Sequence, residues 1–185
     1  MLIYVIHGKT GLVIGSVTPW VEIIYLRNGA KKVTTVDYNK IIIDHPQIEY
    51  LNAMNLALQW KRLNESFDFI AQFSSIEHSG LGRYGDPLDP VGDIREIRKI
   101  HCLLKKDGLL FLGLPIGKVD RVVFNAHRIY GPLRLALLFE GFQVLDVFRG
   151  DKKVPFSSTI FEVNESLSIM GKIHFLFVLK KYDGK

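Results

Sequence analysis

The chain has one cysteine, Cys102, so no intrachain disulfide can staple it and its stability must come from core packing. Cys102 falls in an apolar helical run, which predicts a buried thiol. No apolar run approaches the ~18 residues needed to cross a bilayer. The longest, Leu109 to Ile116, reads as a buried strand. The opening LIYVI lacks a basic leader and a cleavage site, so no secretory signal is expected and a soluble, cytoplasmic protein without membrane contact is. Internal repeats and low-complexity tracts are missing too. Basic residues exceed acidic ones, for a net charge of +5, but no basic stripe exists. They lie in scattered pairs such as Lys31-Lys32 and Lys152-Lys153, which predicts a solvated surface and no nucleic-acid partner.

What is present suffices for one core. With 185 residues, 48% of them hydrophobic, the whole chain 1–185 reads as a single α/β domain, its oligomeric state left open. GLVIGS, Gly11 to Ser16, is strand-like; Thr18 is a competent helix cap, Pro19 suits the first helical position, and Trp20 to Leu26 carry helical spacing. A β-branched strand then ends at Asp37, 22 residues beyond Gly15. This is a β-α-β unit with an acidic residue where a nucleoside ribose would lie. Glu22 in the first helical turn suits the helix dipole and repels phosphate, which favours a cationic, phosphate-free ligand.

Ile48 to Leu51 reads as a third strand, Asn52 to Leu63 as a helix, and Phe67 to Phe73 as a central strand buried on both faces. Val91 to Lys105 is an amphipathic helix with Gly108 as its stop, Leu109 to Pro115 another strand, and Arg128 to Glu140 a helix. FQVLDVF and HFLFVLKK read as two strands pairing antiparallel at one sheet edge. Between the central strand and the amphipathic helix lies SSIEHSGLGRYGDPLDP, Ser74 to Pro90, too long and too polar for a simple turn. In an open α/β sheet it stands at the carboxyl edge, where ligands bind.

FDFIAQFSSIEH followed by IREIRKIHCLLKKDGLLFLGLPIG resembles the fourth strand, helix and fifth strand of class I S-adenosylmethionine-dependent methyltransferases. GLVIGSVTPWVE, SSIEHSGLGRYGDPLDPVGD and NAHRIYGPLRLALLFEGF resemble characteristic blocks of the domain of unknown function 268 family, itself methyltransferase-like. The resemblance implies a Rossmann-like, mostly parallel seven-stranded sheet with an antiparallel C-terminal strand. It also implies S-adenosyl-L-methionine as cofactor and a small-molecule or glycan-like acceptor. In the register of the methyltransferase glycine loop this chain has Val13, Gly15, Val17 and Pro19, so only the first glycine and no carboxylate remain. A second reading therefore stands beside the enzyme: a binding module that keeps the fold and has lost the cofactor.

On the enzyme reading, Gly15, Ser16, Asp37, Asn55, Ser74 and Ser75 are the cofactor-binding candidates. A carboxylate at Asp37 could accept both ribose hydroxyls. Glu77, His78 and His127 are the acid-base candidates, with one histidine removing an acceptor hydroxyl proton. Glu77 and His78 could equally cap a turn. Tyr84, Asp86, Asp89 and Arg128 are expected to line the acceptor pocket. No tight ligand spacing links His78, His127, Asp86 and Asp89, so no metal is expected.

Overall fold

A computed structural model describes residues 4–170 and 172–182; Leu2 and Ile3 of the opening segment lie outside the described residues. The elements in chain order are β1 (Thr10–Ile14), α1 (Trp20–Arg27), β2 (Lys32–Asp37), β3 (Ile48–Asn52), α2 (Ala53–Leu58), α3 (Trp60–Leu63), β4 (Phe67–Phe73) and α4 (Gly92–Leu103). They continue as β5 (Leu104–Pro115), β6 (Arg121–Val122), β7 (Arg128–Ile129), α5 (Pro132–Leu138), β8 (Phe142–Arg149), β9 (Lys152–Val154), α6 (Glu165–Ile169) and β10 (His174–Lys181). The main sheet runs β3-β2-β1-β4-β5-β10-β8-β9. The first five strands are parallel, and β10 returns antiparallel between β5 and β8. The sheet thus has eight strands where seven are expected; the addition is the three-residue β9 paired on the edge of β8.

Strand order follows burial. In β4, Phe69, Ile70, Ala71 and Gln72 are all buried, because β1 and β5 flank the strand and helices cover both faces. Ile70 faces Ile97 and Ile100 of α4 and Leu56 of α2, while Phe69 and Ala71 face Val21 and Tyr25 of α1. The rings of Tyr25 and Phe111 stand 4.7 and 6.4 Å from that of Phe69, giving an aromatic cluster under α1.

Several sequence expectations are corrected. Thr18 does not cap α1: the helix starts at Trp20 behind Pro19, and the Thr18 carbonyl accepts from the Ser16 hydroxyl instead. Asn52 to Leu63 breaks into α2 and α3, with Asn52 accepting the Met54 N–H as the cap of α2. The amphipathic helix ends at Leu103, not Lys105, and Gly108 does not stop it. Residues 105–108 bulge from β5, since Phe67 pairs with Leu104 and Phe69 with Leu109. Cys102 is exposed, because the buried stripe of α4 runs through Ile94, Ile97, Ile100 and Leu103 and passes it by. The expected helix from Arg128 begins only at Pro132, where proline sets the first turn; Arg128 itself is in β7.

Phe69→Ala empties the centre of the aromatic cluster and should cost about 3–5 kcal/mol of unfolding free energy. Equilibrium urea unfolding measures it; a loss under ~1 kcal/mol would mean the cluster is not packed as described.

Candidate functional site

The carboxyl ends of β1, β2 and β4 open on a cavity of about 380 Å³, closed on its other side by the first turns of α4 and the loop from Ser79 to Asp89. Gly15 ends β1 at φ +75°, and a Cβ there would come within 2.0 Å of the Ser75 hydroxyl. Only glycine allows this strand-end turn to close against the segment following β4. Ser16 turns inward, its hydroxyl 2.7 Å from the Thr18 carbonyl and 3.0 Å from the Glu22 carboxylate. Glu22 is fully buried and takes a second hydroxyl, from Thr35, at 2.7 Å. Its side chain is therefore committed to Ser16, just beyond β1, and to Thr35 of β2 rather than displayed on the helix end.

Asp37 lines the cavity at the end of β2, one carboxylate oxygen accepting the Asn39 N–H at 2.8 Å. Ser74, Ser75 and His78 line it from the segment after β4, and Tyr84, Asp86 and Asp89 from the loop. Ser16, Asn55, Glu77, His127 and Arg128 do not. Asn55 is exposed on α2, whereas its neighbour Ala53 reaches the cavity wall.

Both loop carboxylates already have tasks. Asp86 accepts the backbone N–H groups of Gly80, Gly82 and Tyr84 at 2.6, 3.1 and 3.2 Å. Burial opposes its charge, but these peptide dipoles outweigh burial and hold it below the usual carboxylate range. Asp89 accepts the Val91 N–H at 3.0 Å and the Arg95 Nε at 2.9 Å. The loop is consequently a shaped wall. Gly80 has φ +81°, and a Cβ there would strike the Asp89 carbonyl at 2.0 Å, so the position requires glycine.

Arg128 is the corrected residue of greatest consequence. Buried at 2% exposure, its guanidinium donates to the carbonyls of Ser79, Asp89 and Pro90 at 2.5, 3.3 and 3.4 Å. Its Nε stands 3.7 Å from the Asp93 carboxylate, which also takes a two-pronged bond from Arg134 at 2.6 and 2.7 Å and the Tyr130 hydroxyl at 3.2 Å. Instead of offering charge to a ligand, Arg128 pins both ends of the loop to α4.

Beside the cavity lies a carboxylate-imidazole group. Glu77 is buried; its Oε1 accepts the Ser74 hydroxyl at 2.7 Å and lies 3.7 Å from His174 Nε2 and 3.9 Å from His78 Nε2. Ser74 holds φ +53°, a left-handed conformation costing a non-glycine residue about 1–3 kcal/mol, and its Oγ also stands 3.2 Å from His174 Nε2. His78 Nδ1 donates to the Ala126 carbonyl at 2.8 Å. His127 lies edge-on to His78, ring centres 6.1 Å apart, its Nε2 buried without a partner. Burial lowers the His127 pKa; Glu77 opposes this, and the charges of His78, His174 and Arg83 add to the lowering. Among the described residues no three His, Cys, Asp or Glu side chains are arranged to hold a metal ion, and no helix is long and apolar enough to cross a membrane.

Sequence reasoning missed Gln72, Glu96 and His174. Gln72 carried a signal, as the one uncharged polar residue inside an apolar strand. Its Oε1 and that of Glu96 are buried without partners, in side chains that line the cavity. His174 carried none, because its partner Glu77 is 97 positions away and meets it only through the antiparallel return of β10.

The family described as "Caenorhabditis protein of unknown function, DUF268" matches residues 8–182. The chain belongs to the DUF268 family. No curated protein sequence matches it. Among solved structures, this DUF268 chain is similar to Burkholderia thailandensis 1,6-didemethyltoxoflavin-N1-methyltransferase with bound 1,6-didemethyltoxoflavin and S-adenosylhomocysteine. The TM-score is 0.60 at 18% identity, covering 96% of this chain and 72% of that one. An S-adenosylmethionine-dependent methyltransferase from Mesorhizobium loti gives 0.57 at 15% identity over 95% and 92% of the two chains. The 4+2 cyclase SpnF gives 0.62 at 13% identity over 97% and 77%. At such identities the likeness establishes the fold, which is that of the class I methyltransferases.

Arg128→Met leaves the Ser79, Asp89 and Pro90 carbonyls without their donor, while Asp93 keeps Arg134 and Tyr130, and should cost about 3 kcal/mol. Hydrogen exchange should show the loss of protection beginning in residues 79–91; uniform loss, or none, would contradict the pinning role. The lowered His127 pKa sets a second expectation. Stability contributed by its neutral form is complete above the unfolded value near 6.5 and is lost as pH falls through the lower folded value. Melting temperatures from pH 8 to 5 should therefore fall less in His127→Phe than in the wild type.

Proposed function

We propose that this chain is an S-adenosylmethionine-dependent methyltransferase acting on a small, hydroxyl-bearing acceptor, carbohydrate-like molecules included. One observation carries the reading. A single cavity of nucleoside-compatible size joins the Asp37 carboxylate and the Gly15 turn to an imidazole in one defined tautomer. With Nδ1–H donated to the Ala126 carbonyl, His78 keeps Nε2 as the basic atom.

The residues fit the cofactor. The free oxygen of Asp37 suits a ribose diol, Gly15 lets a ligand approach closely, and the orphaned oxygens of Gln72 and Glu96 await donors. Val17 stands at the cavity mouth and is largely exposed, so its methyl groups leave the interior open. Bound there, S-adenosylmethionine would supply an electrophilic methyl group. His78 Nε2 would accept the acceptor's hydroxyl proton, and the Glu77 carboxylate 3.9 Å away would stabilise the resulting imidazolium. Tyr84, edge-on to His78 at 5.1 Å, and the loop backbone shaped by Asp86 and Asp89 would position the acceptor. His127, outside the cavity and disfavoured as a cation, would support the position of His78.

Isothermal titration with S-adenosylhomocysteine tests the reading. Ligand at ~100 times its dissociation constant should add about 2.7 kcal/mol to stability. No binding at millimolar ligand would favour the cofactor-free binding module. Asp37→Ala should weaken binding by about 1.5–3 kcal/mol. His78→Gln should retain S-adenosylhomocysteine affinity while slowing methyl transfer to a hydroxylated acceptor roughly 10²–10⁴-fold. Equal turnover in wild type and His78→Gln would remove His78 from the mechanism.

A further inference from the structure

Gln72 is the polar group in the cavity whose bonding is least complete. It is buried at 1% exposure, its Nε2 makes only a long 3.5 Å contact to the Ser75 hydroxyl, and Oε1 has no partner. A buried acceptor left unmade is costly, and one in a cavity wall is satisfied by whatever fills the cavity. Gln72 lies one residue beyond the Val13 and Ala71 register pair, beside the Gly15 turn. Asp37 ends β2, on the far side of β1, so the two side chains stand two strand spacings apart, roughly 10 Å.

Arg95 and Lys99, the cationic residues lining the cavity, are paired with Asp89 and Glu96. Behind the Gly15 turn, the buried Glu22 side chain is occupied by the Ser16 and Thr35 hydroxyls. An unpaired buried acceptor whose neighbouring cations are already taken favours a ligand group that donates and disfavours a carboxylate.

Resting on the methyltransferase reading above, we propose that Gln72 is a specificity-determining residue that accepts a hydrogen bond from the ammonium group of the cofactor's amino-acid portion. A nucleoside with its ribose at Asp37 extends its 5′ substituent across the end of β1 to reach β4. In this chain the carboxamide performs the recognition that a carboxylate in the glycine loop would otherwise give.

The test compares S-adenosylhomocysteine with 5′-methylthioadenosine, which has the same nucleoside and no amino-acid portion, by isothermal titration of wild type, Gln72→Leu and Gln72→Glu. Gln72→Leu should weaken S-adenosylhomocysteine ~10-fold or more and leave methylthioadenosine unchanged, which also shows the variant to be folded. Gln72→Glu should match or exceed the wild type for S-adenosylhomocysteine. If wild type binds while Gln72→Leu binds S-adenosylhomocysteine equally well, or loses both ligands alike, the assignment is overturned and the methyltransferase reading survives. If wild type binds neither ligand, both are overturned.

Discussion

The buried Arg128 guanidinium is the constraint on which the site depends. A charge out of water persists only with hydrogen bonds and a counter-charge, and here three loop carbonyls supply the bonds and the Asp93 carboxylate, at ion-pair distance, the charge. Because those carbonyls come from residues 79, 89 and 90, satisfying one side chain closes the eleven-residue loop from Ser79 to Asp89 at its neck. Asp93 shares itself between Arg128 and Arg134, so α4, α5, β7 and the loop are locked through one carboxylate. Burial and the Asp93 carboxylate raise the Tyr130 pKa well above its ordinary value, keeping that hydroxyl a donor in the network.

With the neck closed, the loop's interior is free to be a wall. Asp86 gathers three backbone N–H groups that no helix or strand could serve, and Asp89 binds α4 through Arg95. Polar side chains that looked like ligand contacts are thereby consumed in building the surface a ligand would meet. Spare capacity remains in the cavity wall at one oxygen of Asp37, Gln72 Oε1, Glu96 Oε1 and His78 Nε2, and beside it at Glu77 Oε2 and His127 Nε2.

The strained Ser74 backbone belongs to the same economy of space. Its left-handed turn ends β4 and starts the 3-10 segment Ile76–His78, burying Glu77 under Ser74 and His174 while leaving His78 at the cavity. Adjacent residues in sequence thus face opposite environments: Glu77 is enclosed, and His78 lines the cavity.

Much of the fold was legible locally. Uninterrupted apolar runs mark β4 and β5 as central, hydrophobic residues three positions apart mark α4, and Asp37 after a β-α-β unit marks the carboxyl edge of the sheet, since each signal depends only on neighbours along the chain. The DUF268 resemblance rests likewise on contiguous blocks. Element ends were less legible: the bulge at residues 105–108 and the start of α5 are decided by pairing with β4 and by Pro132, not by propensity. The site divided in the same way. Sequence alone placed Gly15, Asp37, Ser74 and His78 near a common edge, because topology carries strand ends there whatever the side-chain details. Only tertiary structure decided that Arg128 is a buried pin, that Asp86 serves the loop's own backbone, that Glu22 is enclosed by Ser16 and Thr35, and that His174 meets Glu77 across 97 positions. The physical reason is that a charged side chain's role is set by which partners compensate its lost hydration, and those partners come from segments that sequence does not place side by side.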